Sequence, residues 1–120
     1  MFSDCDSLQN LDLSNFDSSN VIDMNHMFDG CESLQNVNVN NFNTSSVEDM
    51  AGLFKMSKFD GNISEWNVSN VKNMNALFAY SCFSEKNGNI SNWNTDKVKT
   101  MQYIFYNCPL EKNPPKWYRE

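Results

Sequence analysis

The 120-residue sequence predicts an α/β solenoid: a stack of about four strand-loop-helix coils, with a parallel sheet on one face and short helices on the other. Three observations predict it. The doublets Met1-Phe2, Met27-Phe28, Leu53-Phe54, Leu77-Phe78 and Ile104-Phe105 recur at spacings of 26, 26, 24 and 27. A fixed frame precedes each doublet from the second onward: a Met four before the Phe, a Val seven before, an aromatic twelve before and an aliphatic fifteen before. The chain also holds 20 Asn against 4 Gly and 3 Pro, a composition that a repeating set of turns explains.

Each unit opens with a short alternating segment. Leu11-Asp12-Leu13 and Val37-Asn38-Val39 have the two-residue period of a strand with one buried face. In the third and fourth units Gly61 and Gly88 replace the first apolar residue, so the inner row thins to Ile63 and Ile90. Val21, Met24, Met27 and Phe28 then fall at i, i+3, i+6 and i+7, the stripe of a helix of two to three turns. Ser19, Ser45, Ser69 and Asp96 stand where an N-cap would accept from orphan amides, and Ser45 with Glu48 has capping-box spacing. One strand and one helix cannot enclose a core, so the units must share one. Phe2 through Phe105 then form a column of five rings, and Phe16, Phe42, Trp66 and Trp93 a second of four. Asn and Ser side chains satisfy the backbone groups that the frequent turns leave unpaired.

These positions divide residues 1–108 into units of about 1–26, 27–52, 53–76 and 77–103 with a partial unit 104–108. Residues 109–120 abandon the frame, and their prolines prevent another helix. Trp117 and Tyr118 are placed to fold over the last coil as a C-terminal cap, while the first coil carries no capping segment.

Leu8-x-x-Leu11-x-Leu13 matches the opening of a leucine-rich repeat, and the stretch from Leu11 to Phe28 is more specific. It resembles the 26-residue repeat of bacterial surface proteins, a divergent leucine-rich-repeat family of BspA type, over residues 1–108. The resemblance implies a bacterial origin, a leucine-rich-repeat-like horseshoe, and surface exposure, adhesion or partner binding; it carries no catalytic residues. Two features depart from the family pattern. Phe16, Phe42, Trp66 and Trp93 stand where leucine-rich repeats place Asn or Cys, and no signal or lipid anchor appears in the sequence. The chain is expected at the cell surface or secreted where an upstream signal has been removed, and in the cytoplasm otherwise.

The net charge of −6 is unevenly spread: residues 1–60 sum to −8 and residues 61–120 to +2. No Lys/Arg stripe attracts a phosphate backbone, so nucleic acid is not an expected partner. No apolar run approaches a membrane span. Cys5, Cys31, Cys82 and Cys108 fit no metal template, and the single His26 cannot complete one. The cysteines read as buried free thiols, or as disulfides joining Cys5 to Cys31 and Cys82 to Cys108. His26 reads as an exposed helix residue, since the frame supplies no partner for catalysis. Asp4, Asp6, Asp29 and Glu32 form an acidic surface without calcium-loop spacing. No metal or cofactor is expected, and the chain reads as a non-enzyme. The Asn-x-Ser triplets at Asn43, Asn62, Asn67 and Asn89 belong to the repeat and say nothing of glycosylation.

The outward strand positions are the candidate partner-binding residues: Asp12, Ser14, Asn38, Asn40, Asn62, Ser64, Asn89 and Ser91. Together they make a polar two-column face for a protein or glycan ligand. Against this stands a plain solvated sheet surface. The alternative function is a structural or assembly unit that associates through its uncapped N-terminal coil; the chain is expected as a monomer or in weak self-association through that coil.

Overall fold

The structure, a computed structural model, describes residues 10–11, 18–33, 36–37, 39, 42–59, 62–84 and 89–119, with backbone alone for 10–11 and 36–37. Units two and three each hydrogen-bond to the unit before and the unit after, through partners 23 to 27 residues apart. The first step is a parallel pair: β1, Asn10–Leu11, against β2, Asn36–Val37, in the register Asn10 to Asn36 and Leu11 to Val37. Around Ile63 and Ile90 the chain turns instead of extending. There the Asn62 and Asn89 carboxamides accept the Ser64 and Ser91 N–H groups, both at 2.8 Å, closing local turns that take donors a ladder would use.

The short helices expected in each unit do not form among the described residues. Residues 25–30, 51–56, 75–80 and 102–107 make runs of consecutive tight turns. Two residues of each run are left-handed: His26 and Gly30, Gly52 and Met56, Ala76 and Tyr80, Tyr103 and Asn107. A left-handed residue ends an α-helix. The N–H groups along a run alternate in direction. Those of Met27, Asp29 and Cys31 donate three residues back within the unit, each at 3.2 Å. Those of Met24, His26, Phe28 and Gly30 donate to the carbonyls of Asp49, Ala51, Leu53 and Lys55 in the next unit, at 2.8–3.0 Å. The pattern repeats at the next two interfaces, and parallel bridges link Asp23 to Asp49, Asp49 to Asn73 and Asn73 to Thr100. A helix would have consumed its interior N–H groups internally. The turn run keeps half of them for its neighbour, and still points Met24, Met27 and Phe28 inward, which is why its apolar spacing resembles a helical stripe.

The core is a large buried aromatic cluster. Phe28, Phe54, Phe78 and Phe105 stack at 5.8, 6.0 and 5.9 Å with planes within 7° of parallel. Phe2 lies outside the described residues. Phe42 stacks on Trp66 at 6.1 Å and Trp93 on Trp117 at 6.1 Å, so the cap residue extends the second column. Phe59 and Phe83, outside the sequence frame, lie against Phe54 and Phe78 at 4.3 and 4.1 Å. Leu110, five after Phe105 as Phe59 is five after Phe54, is buried by a single 3-10 turn at Pro109–Glu111. Stacked rings of this kind add ~0.5–1.5 kcal/mol per pair beyond burial. The result is a compact body with almost no regular secondary structure, of radius of gyration 13.0 Å, close to the ~13–14 Å of a globular chain this long.

Residues 109–119 close over the last unit. The Trp117 indole donates to the Ile90 carbonyl at 2.8 Å, Tyr118 packs on Phe105, and the Arg119 guanidinium donates to the carbonyls of Thr95 and Val98 at 3.2 and 2.7 Å. The cysteines divide. Cys31 and Cys108 are buried cysteines outside any disulfide, Cys108 donating to the Phe83 carbonyl at 3.3 Å, whereas Cys82 is free and exposed, so the buried reading fails there. Cys5 lies outside the described residues. Burial pushes the Cys108 thiol above its ordinary pKa.

Candidate binding surfaces

The asparagines hold the loops through rows of side-chain turns. The carboxamides of Asn43, Asn67 and Asn94 accept the N–H groups of Ser45, Ser69 and Asp96 at 2.9–3.0 Å. The residues expected to act as N-caps are therefore themselves capped by the Asn two positions earlier. A second row, Asp23, Asp49 and Asn73, accepts from Asn25, Ala51 and Asn75 at 2.9–3.0 Å. Buried hydroxyls tie these loops across units. Ser18 Oγ accepts from the Asn43 N–H at 2.7 Å, and Thr44 Oγ1 donates to the Asn67 carbonyl at 2.9 Å.

Of the residues singled out from the sequence, Asp12, Ser14, Asn38 and Asn40 lie outside the described set. Asn62, Asn89 and Ser91 are exposed and Ser64 is half-buried, but the carboxamide oxygens of Asn62 and Asn89 are engaged in their own turns. Asn89 and Ser91 also border a cavity of about 70 Å³ against Leu110 and Pro114 of the C-terminal segment. His26 is exposed, as expected, but sits in a turn, its Nδ1 2.8 Å from Asp29 Oδ2. Asp4 and Asp6 lie outside the described residues, and no group of three potential metal ligands gathers among those described.

A larger groove, about 460 Å³, crosses all the described units on another face. Its walls come mainly from two repeat positions, Asn20, Ser46, Asn70 and Lys97 in one column and Ile22, Glu48 and Lys72 in the next, with Ser45 beside them. Lys72 Nζ pairs with Glu48 Oε1 at 2.9 Å, both half-exposed, so this pair contributes little to folding. Lys97 Nζ donates to Asn70 Oδ1 at 3.0 Å, and Asn70 Nδ2 donates to the Ser45 carbonyl at 2.6 Å. Ile22 stands out in this polar setting at 55% exposure. The groove therefore offers cationic, anionic, amide and apolar contacts side by side. Sequence reasoning passed over these residues because it followed the invariant frame. The signal that marks them is the opposite one: they lie eight and six positions before each Phe and change chemistry from unit to unit.

The model of the family described as Mycoplasma protein of unknown function, DUF285, matches residues 1–117. No curated protein and no solved structure matches the chain.

Proposed function

From the premise that this chain belongs to the DUF285 family, which its match over residues 1–117 establishes, we propose that it is a non-enzymatic repeat module binding a protein or glycan partner across successive units. The finer architectural reading, a leucine-rich-repeat-like solenoid of the bacterial surface-protein type, is supported by the regular step of 23 to 27 residues between bonded and stacked partners. The observation that carries the functional reading is the groove from Asn20 to Lys97. Its two columns vary while the aromatic columns behind them repeat, so a rigid frame displays residues that folding leaves free to differ. Chemical cross-linking of the chain to captured cell-surface partners, mapped by mass spectrometry, tests it. Cross-links should fall on Lys72 and Lys97, and the Lys72→Glu, Lys97→Glu double variant should lose capture with an unchanged circular dichroism spectrum. Capture that survives the double variant sinks the groove assignment.

A second reading, an assembly unit, is supported by the direction of the ladder: over 24–30, 50–56 and 74–80 every backbone bond between units runs from an earlier N–H to a later carbonyl, while the carbonyls of Ile22, Glu48 and Lys72 just ahead of those runs accept in the reverse direction, so unlike edges meet head to tail. The −8 and +2 halves favour the same arrangement. Light scattering across a salt series tests it, since a mass that stays monomeric at low salt and high concentration removes it.

A further inference from the structure

The last unit presents a different edge from the others. Met74, Ala76, Phe78 and Tyr80 donate their N–H groups to the carbonyls of Thr100, Gln102, Ile104 and Tyr106. The equivalent N–H groups of Met101, Tyr103, Phe105 and Asn107 find no acceptor among the described residues. The C-terminal segment covers the apolar columns here, with Trp117 on Trp93 and Tyr118 on Phe105, but it supplies no carbonyls to that row. Between the two lies a groove of about 370 Å³ bordered by Gln102, Tyr103, Tyr106, Glu111 and Tyr118.

The exposed tyrosines in this groove, Tyr103 and Tyr106, and Tyr80 beside them are poorly explained by folding. Tyr103 is 67% exposed, Tyr80 50% and Tyr106 47%, and Tyr106 meets Tyr80 and Tyr103 edge to face at 5.4 and 5.9 Å. Tyr103 and Tyr80 hold φ of 61° and 59°, a region that disfavours a side chain, and Gly52 and Gly30 fill the equivalent positions of earlier units. Bulky rings thus stand in solvent at backbone positions where glycine would be less strained.

We infer that this groove is a carbohydrate site, taking a neutral pyranose-containing glycan. The flat, weakly polar face of a pyranose packs on exposed tyrosine rings. Its hydroxyls both accept and donate, so they can accept from the open Tyr103 N–H in the groove and the open Asn107 N–H beside it, and donate to the Glu111 carboxylate, which has no ion pair among the described residues. The alternatives match less well. A β-strand offers alternating donors and acceptors to a row that opens only donors from Met101 to Asn107, its one open carbonyl lying ahead of them at Lys99. An anionic ligand meets Glu111, and a proline-rich peptide brings few N–H donors to it, since each proline lacks one. The site is separate from the Asn20–Lys97 groove and does not rest on it.

Amide-resolved NMR titration of the whole chain with oligosaccharides of glucose, galactose, mannose and N-acetylglucosamine tests the inference. At least one sugar should shift the Tyr103 and Asn107 amides. Tyr103→Gly, which relieves the left-handed strain, and Tyr106→Ala should each weaken that sugar by about tenfold or more. Glu111→Gln should also weaken it, and Lys72→Glu with Lys97→Glu should leave it unchanged. The inference is overturned if no sugar moves these amides, or if a proline-rich peptide moves them and tolerates Glu111→Gln. It is equally overturned if the amides shift with protein concentration alone, which would identify the edge as a self-association surface.

Discussion

The imidazole of His26 lies over Gly52 of the following unit: a Cβ on Gly52 would stand 2.5 Å from His26 Nδ1 and 2.6 Å from Cε1. Gly52 is left-handed at φ +63°, so two independent constraints demand glycine there. His26, itself held by Asp29, acts as a spacer between neighbouring turn runs.

Gly52→Ala should therefore destabilise the fold by roughly 2–3 kcal/mol, part from the left-handed backbone and part from the clash. His26→Ala in the same chain, which removes the ring and keeps a side chain on the left-handed residue 26, should recover the clash part and leave the backbone part. Urea unfolding of the unaltered chain, the single variant and the double variant measures both, and an unimproved double variant would place the whole effect in the backbone.

The two central tryptophans should respond differently to removal of the indole N–H. Trp66 Nε1 donates to the Val39 carbonyl at 3.1 Å, whereas the buried Trp93 Nε1 has no partner among the described residues. Trp66→Phe should cost about 1 kcal/mol more than Trp93→Phe, since only the first breaks a bond and the second removes an unmet donor. Thermal melts of the pair provide the comparison.

Asn75 ties the third unit to the fourth through one atom. Its Oδ1 accepts from Thr100 Oγ1 at 2.6 Å and from the Gln102 N–H at 2.7 Å. Asn75→Ala should lower stability by roughly 1–2 kcal/mol, while Asn75→Asp, which keeps the acceptor, should lose much less. Hydrogen exchange should quicken first at Gln102 in the Ala variant.

The cysteines carry an alkaline prediction. The Cys108 thiol is raised from 9.0 by burial, so folding favours its neutral form. That stability is fully present below the unfolded value near 9.0, and is lost as pH rises from there through the higher folded value. Unfolding free energy should decline above that pH, and Cys108→Ala should flatten the decline. In the native state a thiol reagent should modify Cys82 and spare Cys31 and Cys108.

The periodic residues were legible because burial is a local demand repeated every 24 to 27 residues. Phe28, Phe54, Phe78 and Phe105, with Met24, Met50, Met74 and Met101 four before them, are buried as their spacing requires. Phe59, Phe83 and Leu110 were not legible, because the equivalent positions five after Phe2 and Phe28 hold Ser7 and Ser33, so the apolar residue follows only the last three doublets. The surfaces were less legible again. Asn62 and Asn89 were read as outward display, and their turns show that much of the asparagine content closes the backbone instead.

By itself the sequence determined the repeat, its register, the inward aromatic and methionine columns, and the role of asparagine in turns. These follow from the side chains alone, because apolar burial and side-chain turns are properties each unit expresses separately. Only the tertiary structure decided what the backbone does between them. Whether the Phe28 N–H bonds back along its own chain or forward to Leu53 depends on a neighbour being present at the right distance. An amphipathic spacing is compatible with both outcomes, and the stack chooses the turn run because it satisfies the donors of two units at once. The open N–H row at Tyr103 and Asn107 has the same origin: it is what remains where the stack ends.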